Sequence, residues 1–353
     1  MYMEIRLANS RQFHIAIGKT LAMAEIIDQI KTLVLDISAS SATSINFLLI
    51  VLIITKSPKS IGTYKHLMIY IAFFELAYAI LYVAEKPDIF TKDSAFLIMT
   101  NTKESIFPVS ISICLDVLLI GFYGLSISLL AFHFIYRYLA ISNSYLLESF
   151  KNWKLLLWLL FPILNAAIWS YAAAVIFAAT EDSDRFLNEF YLPSKKNGTQ
   201  VGDIYYGGPF YYMTDRHGKF YVNWRAFEGT AIVLTLILLS FTTVIFFGFK
   251  GYKTIGELMK VTSVSQKYKN LQTQLFNALV FQTIIPVFLM HIPATAIYFT
   301  IFLNISSEIF GEVLNFSIAM YPALNPLPTI FIVSSYKKAV IGKKILLFLV
   351  FVF

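Results

Sequence analysis

The sequence predicts an all-α protein, a bundle of seven transmembrane helices with its N-terminus outside the cell. Hydrophobic residues make up 58% of the 353 positions and charged residues only 14%. An average soluble domain has about 45–50% apolar and about 25% charged residues. Seven apolar runs are long enough to span a bilayer, which takes about 20 residues. Basic residues concentrate in alternate loops between the runs, which sets the orientation.

The seven apolar runs cover about 33–55, 67–84, 106–135, 155–179, 228–249, 275–302 and 309–334. They define a transmembrane bundle over 33–335, preceded by an extracellular segment, 1–32, and followed by a short cytoplasmic tail, 336–353. Within the tail, the apolar stretch 345–353 is too short to cross a bilayer. Either it lies along the inner interface, or it is an artefact of how the chain end was defined, which we favour slightly.

Loop charge gives the bundle its orientation. The loops on one side carry fifteen lysines and arginines but only two acidic residues, Glu148 and Glu257. The loops on the other side balance basic residues with acidic ones. Because short cytoplasmic loops are enriched in Lys and Arg, the first side is predicted to be cytoplasmic. The lipid bilayer, rather than nucleic acid, is then the partner of these dispersed charges.

Prolines interrupt the last two runs. Pro286 and Pro293 lie in the sixth run, and Pro326 and Pro328 lie near the inner end of the seventh. A proline removes one backbone hydrogen bond and clashes with the preceding turn. The sequence therefore predicts helix bends at these four positions.

Polar residues recur at one depth on the cytoplasmic half of the bundle. Asn46, Glu75, Gln282 and Asn325 lie seven to nine residues from the inner end of their runs, which is roughly 10–14 Å at 1.5 Å per residue. Ser126 reaches a similar level. A charged side chain is unfavourable at this depth, so Glu75 should face inward and be hydrogen-bonded or protonated. We expect one network linking these five residues; alternatively, each bonds a neighbouring backbone group.

A second polar level lies nearer the outside. Asp116 and His291 are about ten and eleven residues from the outer ends of their runs. A carboxylate and an imidazole at one depth could line a ligand cavity. They could equally form a structural pair, or His291 could bond a carbonyl group.

The largest extracellular loop covers 180–226 and contains six tyrosines. Turn signals at Asn197-Gly198 and at Gly207-Gly208-Pro209 predict a small β-hairpin in this loop. Asn197 and Asn304 each begin an Asn-x-Ser/Thr sequence on the predicted outside, which makes them candidate glycosylation sites.

The inner end of the third run carries Arg137 between Tyr136 and Tyr138. One interpretation is interfacial anchoring combined with the positive-inside bias. The other is contact with a cytoplasmic partner, in which the basic loop 250–269, with Lys253 and Lys260, would take part.

Motifs of enzymes and metal sites are missing from the sequence. We find no nucleophile elbow, no phosphate-binding glycine loop and no paired Cys/His ligands. No enzymatic activity, cofactor or metal is therefore expected. Cys114 is the only cysteine, so an intrachain disulfide bond cannot form.

Four stretches of the chain resemble one known family. They are 61–68 with Phe74-Glu75, 132–138, 271–293 and 321–338. Together they are similar to the serpentine receptor class r (Str) family of nematode seven-transmembrane chemoreceptors, which includes the diacetyl odorant receptor. Asn325 departs from the pattern, since an Asp usually precedes Pro-Leu-Pro there.

The resemblance implies a G-protein-coupled chemosensory receptor in the plasma membrane of chemosensory cilia. Its partners would be a small odorant or soluble cue and a heterotrimeric G protein that contacts Arg137, Tyr138, Lys253 and Lys260. A multi-pass transporter or ligand-gated channel is the alternative. Transporters often contain inverted repeats with broken helices at matching positions, and the prolines here have no counterparts in the first two runs. A receptor-like protein that does not signal is a third interpretation.

Overall fold

The computed structural model describes residues 32–151, 153–195 and 199–342, and within them the chain is mostly α-helical. Six helices are long and apolar enough to cross a membrane, and a seventh span is completed if two bent helices are taken together. In chain order the spans are α1 (Thr32–Lys56), α2 (Tyr64–Glu85), α3 (Val109–Ile141), α4 (Lys154–Ile176), α6 (Trp224–Lys260), α7 (Gln266–Phe302) and α8 (Glu308–Ile332). The helical bundle predicted from the sequence is confirmed.

Two of the helices extend well beyond their apolar runs. α6 and α7 each contain 37 residues, or roughly 55 Å of helix at 1.5 Å per residue, whereas the hydrocarbon core is about 30 Å thick. Their inner ends therefore project into the cytoplasm. Asn223 caps the start of α6 by accepting the N–H of Ala226, and Ser265 caps α7 by accepting the N–H of Tyr268.

α3 lies at the centre of the bundle, with α4 and α6 packed against it. Small residues allow the close approach of α4: a Cβ atom on Gly124 would lie 2.3 Å from the Trp169 ring, and one on Gly121 would lie 2.3 Å from the Ser170 hydroxyl. A side chain at either position would force the two helices apart.

The prolines of α7 lie within one continuous helix, whereas Pro326 and Pro328 of α8 lie at or just after an interruption. α7 continues as one helix through both Pro286 and Pro293, with a π-helical turn, Val287–His291, directly after the first. α8 is interrupted by a turn at Asn325-Pro326. The sharp bend of 97° comes at Val333, where α8 meets the short helix α9 (Ser334–Gly342). Extra residues in a π turn accommodate the missing hydrogen bond, so a large kink is not required.

Strands and a short helix form a cap over the outer end of the bundle, which we call the extracellular cap (residues 87–101 and 178–223). β1 (Asp88–Lys92), β2 (Ala95–Asn101) and β3 (Ile204–Gly207) form an antiparallel sheet in the order β1-β2-β3. β4 (Tyr212–Thr214) pairs with β5 (Phe220–Val222), and α5 (Glu181–Phe190) follows the capping residue Thr180.

The predicted hairpin in the loop 180–226 is present as β4 and β5, but its turn is at neither predicted position. It lies at Asp215 to Gly218, where the Asp215 carboxylate accepts the N–H groups of His217 and Lys219 at 2.8 and 2.9 Å. Gly218 has a φ of 77°, which glycine adopts without strain. Gly207 instead ends β3, and positions 197–198 lie outside the described residues.

The hairpin β1–β2, in the loop after α2, was not predicted. It connects the cap to α8, because the Thr91 hydroxyl donates to the Ser307 carbonyl at 2.7 Å and accepts the N–H of Gly311 at 2.9 Å. A backbone bridge between Asp93 and Ser306 adds a second connection. Hydrogen bonds therefore join the first and third extracellular loops.

Replacing Gly311 by Ala should separate the cap from α8. The added Cβ would lie 2.3 Å from the Ile89 carbonyl oxygen, and overpacking of this kind destabilises by about 1–3 kcal/mol. We expect a lower unfolding temperature for the purified protein and less folded protein at the cell surface. Gly202→Ala is the control, since no atom lies within 4 Å of its added Cβ. Equal unfolding temperatures for the two variants would contradict this account of the contact.

Candidate functional site

A cavity of about 420 Å³ lies in the outer half of the bundle, directly beneath the extracellular cap. We call it the outer cavity. None of its lining residues is an Asp, Glu, Lys or Arg. Aromatic side chains dominate the walls, namely Tyr78, Tyr82, Phe96, Tyr123, Trp169, Phe177, Tyr211, Phe241, Tyr298, Phe299 and Phe302. Its size and apolar walls are those of a small-molecule site, and a charged ligand would be left there without a counter-ion.

His291 is one of the few polar residues that line the outer cavity. It belongs to the π-helical turn of α7, and its ring makes edge contacts with Tyr123 and Phe241, with centroids 5.6 and 5.0 Å apart. Its Nδ1 lies 3.4 Å from the Tyr123 hydroxyl, whereas its Nε2 is buried and has no hydrogen-bond partner among the described residues. A buried polar atom of this kind is rare, which makes His291 the candidate polar contact for a ligand.

Asp116 does not line the outer cavity, so the structure does not place it there with His291. Its carboxylate accepts a 2.6 Å hydrogen bond from the Thr100 hydroxyl of β2. One turn earlier on α3, Ser112 donates to Glu85 at 2.6 Å. Both residues are buried. The rotation of α3 directs Asp116 toward the cap, where it bonds β2.

The wall of the outer cavity nearest the extracellular side comes from the cap, whose residues were not predicted to line a site. Phe96 of β2 makes an edge contact with Tyr298 at 5.7 Å, and Tyr211 donates to the Thr230 hydroxyl at 2.8 Å. Gly208 packs on β2 so closely that a Cβ would lie 2.0 Å from the Phe96 carbonyl oxygen. The only sequence signal was the concentration of tyrosines in the loop 180–226.

Polar contacts stabilise the cap at its solvent-exposed edge. Asp203 accepts the backbone N–H of Gln200 at 3.0 Å, and Lys103 lies 3.4 Å from the same carboxylate oxygen. The bond from Gln200, followed by the charge of Lys103, lowers the pKa of Asp203. At neutral pH the carboxylate is therefore ionised and can hold both partners.

Three of the five predicted polar-layer residues, Glu75, Gln282 and Asn325, bond one another in the inner half of the bundle, and Asn46 bonds the adjacent backbone of α8. The Asn325 amide donates to the Glu75 carboxylate, Gln282 donates to the Asn325 carbonyl oxygen at 3.1 Å, and Asn46 donates to the Pro322 carbonyl oxygen at 2.8 Å. These bonds connect α1, α2, α7 and α8. We call Asn46, Glu75, Gln282 and Asn325 the polar layer.

Ser126, the fifth residue, bonds the Tyr123 carbonyl of its own helix at 2.7 Å. It nevertheless borders a cavity of about 30 Å³ together with Glu75, Gln282, Asn325 and His133. His133 was not predicted to take part, although its Nε2 is buried there without a hydrogen-bond partner among the described residues. The space is large enough for an ordered water.

Arg137 is buried, with 2% of its surface exposed. Its guanidinium donates to the Gln272 side-chain oxygen at 2.8 Å and to the Gln272 backbone carbonyl at 3.2 Å, and it stacks 4.8 Å above the Tyr64 ring. In this conformation Arg137 joins α3 to α7 and is inaccessible to a cytoplasmic partner. The sequence could not show this, because the pairing depends on the approach of α7 to α3.

The remaining residues of the predicted inner surface are more accessible. Tyr138 is half-buried against Phe247, and Lys250 lies 5.7 Å from its ring centroid. Lys253 and Lys260 are exposed on the inner part of α6. They can meet a partner without any rearrangement.

The glycosylation candidates differ in how far the structure describes them. Asn304 is exposed in the loop between α7 and α8, with a φ of 60°. Asn197 lies outside the described residues. Among the described residues, no group of three or more His, Cys, Asp or Glu side chains is arranged to hold a metal ion.

Comparisons with known proteins agree with this architecture. The family model described as serpentine type 7TM GPCR chemoreceptor Str matches residues 31–341. The G-protein coupled receptor str-217 of Caenorhabditis elegans is 33% identical over 304 residues, 86% of each chain. Serpentine receptor class r-10 of Caenorhabditis briggsae is 26% identical over 309 residues, 86% of this chain and 88% of the relative.

Among solved structures, the crystal structure of squid rhodopsin matches with a TM-score of 0.55, covering 90% of this chain and 85% of rhodopsin. Sequence identity is 12%, so this likeness supports the fold alone.

Proposed function

The chain belongs to the Str family of serpentine seven-transmembrane G-protein-coupled receptors, and from this premise we propose that it is a chemosensory receptor that detects a small uncharged molecule. The molecule would bind in the outer cavity and contact His291, and the bound receptor would activate a heterotrimeric G protein. Because the protein is a multi-pass membrane protein of a chemoreceptor family, we place it in the plasma membrane of chemosensory cilia, glycosylated at Asn304 and Asn197.

One observation supports this proposal best: the single helix α7 contributes a residue to the outer cavity, to the polar layer and to the contact with Arg137. α7 supplies His291 to the outer cavity, Gln282 to the polar layer and Gln272 to the contact with Arg137. A ligand can shift an equilibrium only by its difference in affinity for the two states. A ligand that prefers a displaced α7 would thereby also weaken the contact between Gln272 and Arg137.

Release of Arg137 would complete the inner surface. Its guanidinium would then be available beside Tyr138, Lys253 and Lys260, which we propose as the G-protein contact. The π-helical turn after Pro286, together with Pro293, would let the inner part of α7 move relative to the outer part. The interruption at Asn325-Pro326, followed by Pro328, would give α8 the same freedom.

Reconstitution with a G protein tests the proposal. The receptor in lipid nanodiscs, screened with neutral odorants, should accelerate nucleotide exchange when the right compound is added. A ligand-evoked current in membranes without G protein would indicate the channel alternative instead.

His291→Leu should weaken the response to any activating compound found in that screen. The substitution keeps an apolar side chain of similar length but removes the unpartnered nitrogen, and a hydrogen bond to a ligand is worth about 0.5–1.5 kcal/mol. We expect a concentration for half-maximal exchange roughly tenfold higher, with basal exchange unchanged. Asp116→Asn is the comparison, since Asp116 lies outside the cavity lining. Loss of potency in Asp116→Asn alone would move the binding site to the cap.

A further inference from the structure

The outer cavity is closed toward the extracellular side by the cap. The residues of the sheet that line it are Ile89, Phe96, Ile98 and Gly207, and each of them is buried or half-buried. Pro87 and Pro209, which flank the strands, are buried as well. Hydrogen bonds hold the cap to α8 through Thr91 and to α6 through Tyr211. Entry from the extracellular solution would require these contacts to break.

On the side between α6 and α7, some of the residues that line the outer cavity are exposed rather than buried. Three residues of one face of α7 line the cavity and are also exposed: Thr295, Phe299 (64% exposed) and Phe302 (52%). Opposite them, Leu234 of α6 lines the cavity and is 50% exposed. A side chain that both lines a cavity and is exposed lies at its rim. We call these four residues the lateral opening.

Two aromatic contacts delimit the lateral opening along the helices. Toward the outside, Phe227 of α6 meets Phe302 of α7 edge-on at 6.3 Å, and toward the inside, Phe241 of α6 meets His291 at 5.0 Å. Leu234 lies ten residues below the start of α6 at Trp224, roughly 15 Å at 1.5 Å per residue. Exposed apolar side chains at that level face lipid chains rather than water.

α6 is also the span least enclosed by protein. Within its most apolar window 17% of residues are buried, compared with 50% in α1, α2 and α3. α6 packs mainly against α3 and much less against α7, so separation of α6 from α7 disturbs less packing than removal of the cap.

From these observations we propose that the ligand reaches the outer cavity through the bilayer, by way of the lateral opening between α6 and α7. The ligand is then a neutral molecule that partitions into lipid, with an apolar body and a single hydrogen-bonding group for His291. This inference rests on the proposed function, since it concerns the ligand of the same cavity.

The test measures binding rates in nanodiscs. The probe is bromoundecanol, a neutral lipophilic alcohol whose bromine quenches tryptophan fluorescence on contact. Trp153, Trp158 and Trp224 are replaced by Phe, so that Trp169 in the cavity wall is the only reporter. Bromoethanol, which stays mainly in water, is the comparison probe.

The variant Leu234→Phe/Thr295→Phe narrows the lateral opening. If the proposal is right, association and dissociation of bromoundecanol both slow by about tenfold, because passage then requires displacement of α6. A fall of both rates by a similar factor identifies the route, because a change in affinity alone would alter the two rates unequally. The control is Leu238→Phe/Ile292→Phe, which places two phenylalanines at exposed positions of the same helices that do not line the cavity.

Entry through the cap predicts the opposite pattern. Phe96→Ala would then accelerate both rates, and the lateral variant would leave them unchanged; this result would overturn the proposal. Absence of saturable quenching by bromoundecanol would contradict a lipophilic ligand. In that case, nucleotide exchange stimulated by a water-soluble neutral compound would leave the proposed function standing.

Discussion

Gln272→Leu should raise the basal, ligand-independent rate of nucleotide exchange on the G protein by about tenfold, because a hydrogen bond to a charged group is worth about 1.5–3 kcal/mol. The substitution removes the side-chain oxygen that accepts from Arg137 at 2.8 Å and keeps the apolar length of the residue. Without that acceptor, the packing in which Arg137 is buried loses stability relative to the one in which it is free. Purified receptor and G protein in nanodiscs, with no ligand, provide the measurement.

Gln266→Leu is the control for this prediction. Gln266 lies on the first turn of the same helix, is exposed and bonds Asn270 rather than Arg137. Basal exchange that does not change in Gln272→Leu would show that Arg137 does not restrain the inner ends of α3 and α7. Arg137 would have two roles, restraint of α3 and α7 through Gln272 and contact with the G protein. Arg137→Ala separates them, since it should abolish stimulated exchange if the guanidinium contacts the G protein.

Asn325→Leu should destabilise the folded receptor by about 1–3 kcal/mol, the cost of a buried polar group left without its partner. The Asn325 amide donates to the buried Glu75 carboxylate, whose second oxygen already has no partner among the described residues. Thermal unfolding of the purified protein should shift down by several degrees.

Two further variants show whether the hydrogen bond between Glu75 and Asn325 is responsible for the lower unfolding temperature. Thr243→Val removes an intramembrane hydroxyl that bonds only the Leu239 carbonyl of its own helix, and it should leave the unfolding temperature nearly unchanged. Glu75→Leu combined with Asn325→Leu should cost less than the sum of the single changes, because each single change leaves the other residue unpaired, whereas the double change removes both. Strict additivity would contradict a direct interaction between the two.

Much of the bundle could be predicted because the relevant signals are local. The length of an apolar run predicts a membrane span. A count of residues from the end of the run predicts depth in the bilayer, and this count groups Asn46, Glu75, Gln282 and Asn325. Both methods measure position along a helix axis only.

Rotation about a helix axis and contacts between distant segments could not be predicted from the sequence. Asp116 has the depth expected of a cavity residue, but it faces Thr100 of the cap. Arg137 has the position expected of a G-protein contact, but it is buried against Gln272. The hairpin β1–β2 could not be predicted because it packs on a helix more than 200 positions later in the chain. The bond from the Gly311 N–H to the Thr91 hydroxyl is part of that contact. Such long-range contacts leave little trace in a local pattern.

The extracellular cap is held without a disulfide bond, since Cys114 is the sole cysteine and lies on α3. Assembly of this receptor therefore requires no oxidising compartment, and reducing agents should leave its outer architecture intact. Active protein should be obtainable by cell-free synthesis into nanodiscs in the presence of dithiothreitol. The same thiol, exposed on the helix, offers a unique attachment point for a fluorophore near the outer end of α3.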